Sequence, residues 1–218
     1  MPRFAIAGAL LMTGIAISGC SHEIGFEPGL VPKDRPSYIA DGALLFVLPD
    51  DEEQFVYDGP PDSEVGNFTT MTVPLGMILK EIATDVFGSC FARGVTFAPT
   101  RETGGDYVLA LEADLGDFVY RYERVIDRGF SDVQDPDVWI LPEVDISIDV
   151  KVYDSRGAEV LSKTYDSGVQ AGERYMVNPH HEERINEVLH ATLHQLLTEV
   201  AEDLYPLLIG ECHVVDVD

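Results

Sequence analysis

The sequence is short of basic residues. It has 14 lysines and arginines against 39 aspartates and glutamates, which gives a formal net charge of -25 at pH 7. A field of that sign repels phosphate backbones and anionic head groups. We therefore expect no nucleic acid partner, and a site for lipopolysaccharide phosphates is disfavoured. A solvated acidic surface explains the charge, while a basic partner surface or bound divalent cations stay open as alternatives.

Motifs for catalysis are also missing. The sequence has no Gly-x-Ser-x-Gly elbow, no phosphate-binding loop and no Cys–His pair typical of thiol enzymes. His190 and His194 stand four residues apart in a predicted helix, but the zinc-protease pattern needs Glu directly after the first His, where this chain has Ala191. The sequence thus predicts a non-enzymatic protein without cofactor or metal. A metal-dependent periplasmic enzyme using His190 and His194 is the alternative.

The apolar run at the N-terminus is too short to span a membrane. From Phe4 to Ile17 it has 14 residues, broken by Thr13 and two glycines, whereas a spanning helix needs about 20. A short basic start precedes the run and small residues follow it, which is the layout of a cleaved signal peptide. We expect residues 1–19 to be removed.

The residues at the end of this run carry a family resemblance. Ile17-Ser18-Gly19-Cys20 resembles the lipobox of bacterial lipoproteins at all four positions. The resemblance implies that Cys20 receives a thioether-linked diacylglycerol, that cleavage precedes it, and that the new amino terminus is acylated. Two or three acyl chains hold a protein at a membrane stably. An ordinary secretory signal with a coincidental cysteine is the alternative.

The residue after Cys20 bears on location. In enterobacterial lipoproteins an Asp at this position favours retention in the inner membrane, and this chain has Ser21. The resemblance therefore implies an outer-membrane lipid anchor with the protein on the periplasmic side.

Lipidation of Cys20 leaves an even pair of cysteines. Cys90 and Cys212 would lie in an oxidising compartment, where such a pair favours a disulfide. The bond would close a loop of about 120 residues, which the chain-entropy model values at roughly 4 to 5 kcal/mol. We predict this disulfide.

The rest of the chain reads as one domain after a linker. Residues 20–39 are rich in glycine and proline without helical or strand periodicity, which predicts a flexible tether. Residues 40–218 offer enough apolar side chains for a single domain with its own core.

Hydrophobic periodicity gives the fold class. Residues 144–152 alternate strictly between apolar and polar side chains and predict a strand, with a turn at 154–157 into a hairpin. Residues 43–48, 94–98 and 106–122 are further strand candidates. Apolar residues at helical spacing predict helices from Leu75 to about Gly88 and from Asn178 to the residue before Pro206. The prediction is an α+β fold, a mostly antiparallel sheet with two amphipathic helices packed on one face.

One stretch mixes aromatic and basic side chains unusually for so acidic a chain. Tyrosine and arginine favour interface hot spots, so we predict a possible docking surface there; an aromatic strand end with charge partners is the alternative. The residues are Phe118, Tyr120, Arg121, Tyr122 and Arg124.

The order of elements behind a lipobox suggests a function. Over residues 40–205 it is similar to that of small α+β envelope lipoproteins, including the lipopolysaccharide-assembly lipoprotein and the auxiliary lipoproteins of ABC-type transport systems. The resemblance implies an accessory or binding subunit of an envelope assembly or transport complex, with an envelope protein as partner. A surface-exposed structural or adhesion lipoprotein is a further alternative.

Overall fold

The computed structural model describes residues 20–36, 38–66, 69–101, 105–127, 137–176, 181–209 and 214–216. Within these residues the chain forms three α-helices: α1 (Asp50–Glu53), α2 (Leu75–Cys90) and α3 (His181–Ile209). The strands are β1 (Cys20–Glu23), β2 (Tyr38–Ala40), β3 (Leu44–Val47), β4 (Tyr57–Gly59), β5 (Thr69–Val73), β6 (Val95–Ala98), β7 (Leu109–Asp127), β8 (Asp137–Asp154), β9 (Glu159–Asp166), β10 (Gln170–Ala171), β11 (Tyr175–Met176) and β12 (Val214–Asp216).

The main sheet is built around a long hairpin. Its order is β10-β8-β7-β3-β6, and β9 and β11 also pair with β8. β7 and β8 are antiparallel from the pair Leu109–Asp154 to the pair Asp127–Asp137. β3 is parallel to both β6 and β7, and the crossover through α2 brings the chain back to β6 in the direction of β3. The prediction of an α+β fold with a mostly antiparallel sheet is confirmed.

The alternation along β8 decides which face is covered. Val144, Ile146, Ile148, Val150 and Val152 are at most 1% exposed, while Asp149 and Lys151 between them are exposed. Period-two alternation places these two sets on opposite faces of the sheet. Each aliphatic side chain buried in this way contributes about 1.5–3 kcal/mol relative to an exposed one.

Both long helices pack on that buried face. The apolar stripes of α2 and α3 join one core with the inner residues of β3, β7 and β8. The prediction for α2 is correct at its start, although the helix continues past Gly88 to Cys90. α3 also runs further than predicted, through Pro206 to Ile209. Pro206 has no N–H to donate within the helix, and the extra turn that contains it buries Leu208.

Two small sheets flank the main one. β5 lies between β1 and β4, and β12 pairs with β2. Among the described residues, no helix combines the length and the apolar character needed to cross a membrane.

Candidate functional site

The predicted lipidation residue lies in a strand. Cys20 opens β1, which pairs in parallel with β5 from Cys20 opposite Thr69 to Glu23 opposite Thr72. The Ile24 amide extends the ladder by donating to the Thr72 carbonyl at 3.1 Å, and the Ile24 side chain is 6% exposed. The backbone of Cys20 is thus part of the fold.

The chain after β1 is fastened to α3. The Asn186 side chain amide donates to the Gly25 carbonyl and to Glu27 Oε1, each at 3.1 Å. The Glu27 amide donates to His190 Nε2 at 3.0 Å, and the Phe26 ring stacks on the His190 ring with centroids 5.6 Å apart. These contacts correct the expected flexible tether: the described residues of 20–39 are held by a helix about 160 residues away in sequence.

His190 has a structural position. It is fully buried, and its Nδ1 lies 2.9 Å from the Asn186 carbonyl. Since the carbonyl can only accept and the Glu27 amide can only donate, Nδ1 carries the proton and Nε2 is the acceptor. Burial lowers the His190 pKa below 6.5, against the opposing effects of the Asn186 carbonyl and the Glu27 charge. Both ring nitrogens are occupied, so His190 could bind a metal only by releasing the N-terminal segment.

His194, one turn later, faces a different part of the same segment. It is 4% exposed, and burial, followed by the charge of Arg35, lowers its pKa below 6.5. Arg35 in turn forms an ion pair with Asp85 of α2 at 2.6 Å. The two histidines therefore contact successive parts of the N-terminal segment. Within the described ranges, no group of three or more potential metal ligands comes together.

The predicted docking residues separate into two sets. Tyr120 and Tyr122 are 1% and 4% exposed, and Phe118 packs against the same core. Their rings lie on the covered face, so the surface expected from all five residues does not form. Arg121 lines a groove and Arg124 is exposed, and for these two docking stays a prediction.

The groove beside Arg121 has a volume of about 550 Å³ and is lined by residues 63–65, residues 121–124 and Glu143. Arg121 Nε lies 3.6 Å from Glu143 Oε2. Burial raises the Glu143 pKa, the Glu123 charge adds to this, and Arg121 opposes it. Arg121 Nε is buried and has no hydrogen-bond partner among the described residues, and the charged side chains that line the groove beside it are Glu123, Arg124 and Glu143. This arrangement suits polar recognition.

Sequence reasoning missed two of these features. Glu143 occupies an outward position of β8, and nothing in the sequence near it marks it as part of a groove. The groove forms because the loop at 63–65 reaches the edge of β7, where the Tyr122 amide donates to Ser63 Oγ at 3.1 Å. Asn186 could have been noticed as a polar residue on the apolar stripe of α3.

Cys90 is buried and forms no disulfide within the part of the chain that the structure describes; its Sγ lies 3.2 Å from the Val86 carbonyl. Cys212 lies outside the described residues. The disulfide between them stays a prediction.

Comparisons with known proteins place the fold. A crystal structure of a Xanthomonas campestris protein of the DUF330 family matches with a TM-score of 0.51 and 12% identity, covering 88% of this chain and 97% of that one. At this identity the match concerns the fold alone. No family model matches the sequence, and no curated protein matches it either.

Two further structures match more distantly. A hypothetical protein from Chlamydia trachomatis has a TM-score of 0.40 and 12% identity, over 78% of this chain and 99% of that one. A minor lipoprotein from Acinetobacter baumannii has a TM-score of 0.35 and 11% identity, over 76% and 94%. Matches at these TM-scores support no conclusion about this chain.

Proposed function

We propose that the protein is an outer-membrane-anchored periplasmic lipoprotein and a non-enzymatic accessory or binding subunit of an envelope assembly or transport complex. The observation that carries the proposal is the complete lipobox ending at Cys20. In support, Cys20 opens a strand of the folded domain, so a lipid on this residue would hold the domain itself. Tethering raises the local concentration of the domain near other membrane-bound proteins.

The metal-dependent alternative is disfavoured by the contacts of its own candidate ligand. His190 already accepts from the Glu27 amide and donates to the Asn186 carbonyl. Burial also holds it in the neutral form that these two bonds need. We therefore propose that the histidines fasten the N-terminal segment.

The lipid anchor is tested by metabolic labelling with palmitate and by the mass of the N-terminal peptide. We expect label on the wild-type protein, none on Cys20→Ala, and unchanged labelling of Cys212→Ala as the matched control. Label that persists in Cys20→Ala would overturn the proposal.

The partner is sought with a photo-crosslinking residue at Arg124, beside the groove. Lys151, exposed on the same hairpin away from the groove, is the matched control position. We expect one envelope protein to be captured from position 124 and not from 151. Equal capture from both positions would contradict a binding role for the groove.

A further inference from the structure

The two sides of the main sheet differ in how they are protected against pairing with another chain. On one side β9 pairs with β8, and this pairing has a register shift beside Tyr153. Lys163 of β9 projects to the helix-covered face, where it lies 2.7 Å from Asp203 of α3. Bulges and inward-pointing lysines keep an edge strand from adding another strand, so β9 is a protected edge.

β6, on the other side of the sheet, lacks this protection. Its residues Val95–Ala98 include no charged residue and no proline, and its pairing with β3 runs without a register shift. Among the described strands, none pairs with the other side of β6. β6 is therefore an open edge.

The hydrogen bonds to β3 show which backbone groups of β6 face outwards. The Gly94 carbonyl accepts from the Leu44 amide at 3.1 Å, and at the other end of the strand the Ala98 carbonyl accepts an amide at 3.0 Å. Successive residues of a strand direct their N–H and C=O groups to opposite sides. The amides and carbonyls of Val95 and Phe97 therefore point away from the sheet, at the spacing of an added strand.

A cavity lies on the outer face of the sheet beside this edge. It has a volume of about 390 Å³, and its lining includes Leu45 of β3, Thr96 and Ala98 of β6, and Tyr107. Tyr107 and Ala98 pack against a small apolar cluster around Leu45, on the face that the helices leave uncovered. Side chains on adjacent strands lie about 5 Å apart and aromatic ones reach diagonal positions. A large side chain on a strand added to β6 would thus reach the cavity.

We propose that β6 is a docking edge for an extended segment of a partner protein. The segment pairs with Val95 and Phe97 as an added strand and places an aromatic or large aliphatic side chain in the cavity beside Tyr107. The docking edge lies next to the start of β7, through β3, and is separate from the groove beside Arg121. It does not depend on the lipid anchor.

The backbone groups and the cavity together indicate the occupant. Two outward residues with a donor and an acceptor each are matched by an extended main chain, and a pocket for alternate side chains gives such pairing its specificity. A second copy pairing through its own β6 would bring only Thr96 and Ala98 to the outer face, and these side chains are too small to fill about 390 Å³. The net charge of -25 disfavours an acidic segment. The occupant is therefore a neutral or basic segment with large apolar residues at alternate positions.

Hydrogen exchange of the purified full-length protein tests the open edge directly. We expect the amides of Val95 and Phe97 to exchange fast and those of Thr96 and Ala98, which face β3, to exchange slowly. Slow exchange at all four amides at every protein concentration would show that the chain itself covers the edge. Slow exchange that is lost on dilution would show that a second copy occupies it. Either result would overturn the proposal.

The binding probe is the fluorescein-labelled peptide Lys-Thr-Phe-Thr-Phe-Thr-Lys, followed by anisotropy. We expect it to slow exchange at Val95 and Phe97 and to leave β9 unchanged. Of two matched peptides, one N-methylated at the phenylalanines and one at the threonines, exactly one should lose binding, because only alternate amides of an added strand face β6. Loss in both or in neither would refute strand addition.

The cavity is tested from both sides. A peptide with alanine for both phenylalanines is expected to bind at least about tenfold more weakly. Thr96→Phe, which fills the cavity, should abolish this difference, whereas Ser162→Phe, at an exposed outer position of β9, should keep it. Absence of binding by the phenylalanine peptide, or a difference that persists in Thr96→Phe, would overturn the docking edge. The lipid anchor, tested by palmitate labelling, would be unaffected by these results.

Discussion

Replacing His190 with phenylalanine tests the attachment of the N-terminal segment. The change keeps an aromatic ring against Phe26 but removes the acceptor for the Glu27 amide, now 3.0 Å from Nε2. An amide left without a partner in such a site costs about 1–3 kcal/mol. We expect the free energy of unfolding to fall by that amount at pH 7.5, and the amides of residues 24–27 to exchange hydrogen faster.

The loss is expected to depend on pH. Burial lowers the His190 pKa below 6.5 in the folded protein, so the folded state binds fewer protons than the unfolded state between those two pKa values. The stabilisation is complete above pH 6.5 and is lost as the pH falls from 6.5 towards the folded pKa, at up to about 1.4 kcal/mol per pH unit. His190→Phe lacks this contribution, and all other titrating groups are shared. Wild type and variant should therefore converge in stability as the pH falls from 7.5 to 5.

The assay is urea unfolding of both proteins at half-unit steps of pH, with hydrogen exchange at pH 7.5. Gln195→Ala, on the exposed face of the same helix, is the control and should stay within about 0.5 kcal/mol of wild type with the same pH dependence. A difference between His190→Phe and wild type that is constant from pH 7.5 to 5 would refute the assigned protonation state. No difference at pH 7.5 would refute the attachment itself.

Three further predictions concern a helix contact, a buried thiol and an ion pair. Gly76→Ala is expected to lower stability by about 1–3 kcal/mol, because its Cβ would lie 1.9 Å from the Glu52 carbonyl oxygen. Gly88→Ala, whose Cβ would have no atom within 4 Å, is expected to raise stability by roughly 0.5–1 kcal/mol. If urea unfolding gave both changes the same sign, the contact between α1 and α2 would be contradicted. Burial raises the pKa of the Cys90 thiol, so in the reduced protein it should react with iodoacetamide only after unfolding, and mass spectrometry showing rapid native labelling would contradict its placement. A hydrogen bond from Lys163 lowers the Asp203 pKa below 3.8, so the pair stabilises the protein above that pH and stops doing so as the pH falls through the folded pKa. An NMR titration of Asp203 in the wild type measures this pKa. Because both side chains are partly exposed, urea unfolding of Asp203→Asn should show a loss of no more than about 1 kcal/mol at pH 7.

The elements that sequence periodicity predicted are those whose burial alternates locally. The inner residues of β8 from Val144 to Val152 are buried as their spacing requires, and α2 begins at Leu75 directly after Pro74. In both cases the spacing of apolar side chains within one segment predicts which face of the element is buried. The end of α3 beyond Pro206 was missed, because a proline inside a helical pattern usually ends the helix, whereas here the helix continues to Ile209 and buries Leu208.

The candidate site was less predictable than the fold. Tyr120 and Tyr122 look like surface aromatics beside arginines in the sequence, yet they face the core, because they occupy alternate positions of β7 opposite Val144 and Pro142 of β8. The glycines and prolines between Cys20 and Pro36 indicate a linker by composition. Their packing depends on residues of α3, and nothing local reports that contact.

The sequence by itself determined the kinds of element, their order and the face that each one buries, because these follow from the spacing of apolar residues within a segment. It also supplied the lipobox, and with it the expectation that Cys20 is lipidated. Only the tertiary structure decided how Cys20 is held. Asn186 and His190 fix the segment after Cys20 from the far end of the chain, and the pairing of β1 with β5 holds Cys20 itself in a strand. Contacts between residues so distant in sequence form only in the folded chain, so no local pattern of residues predicts them.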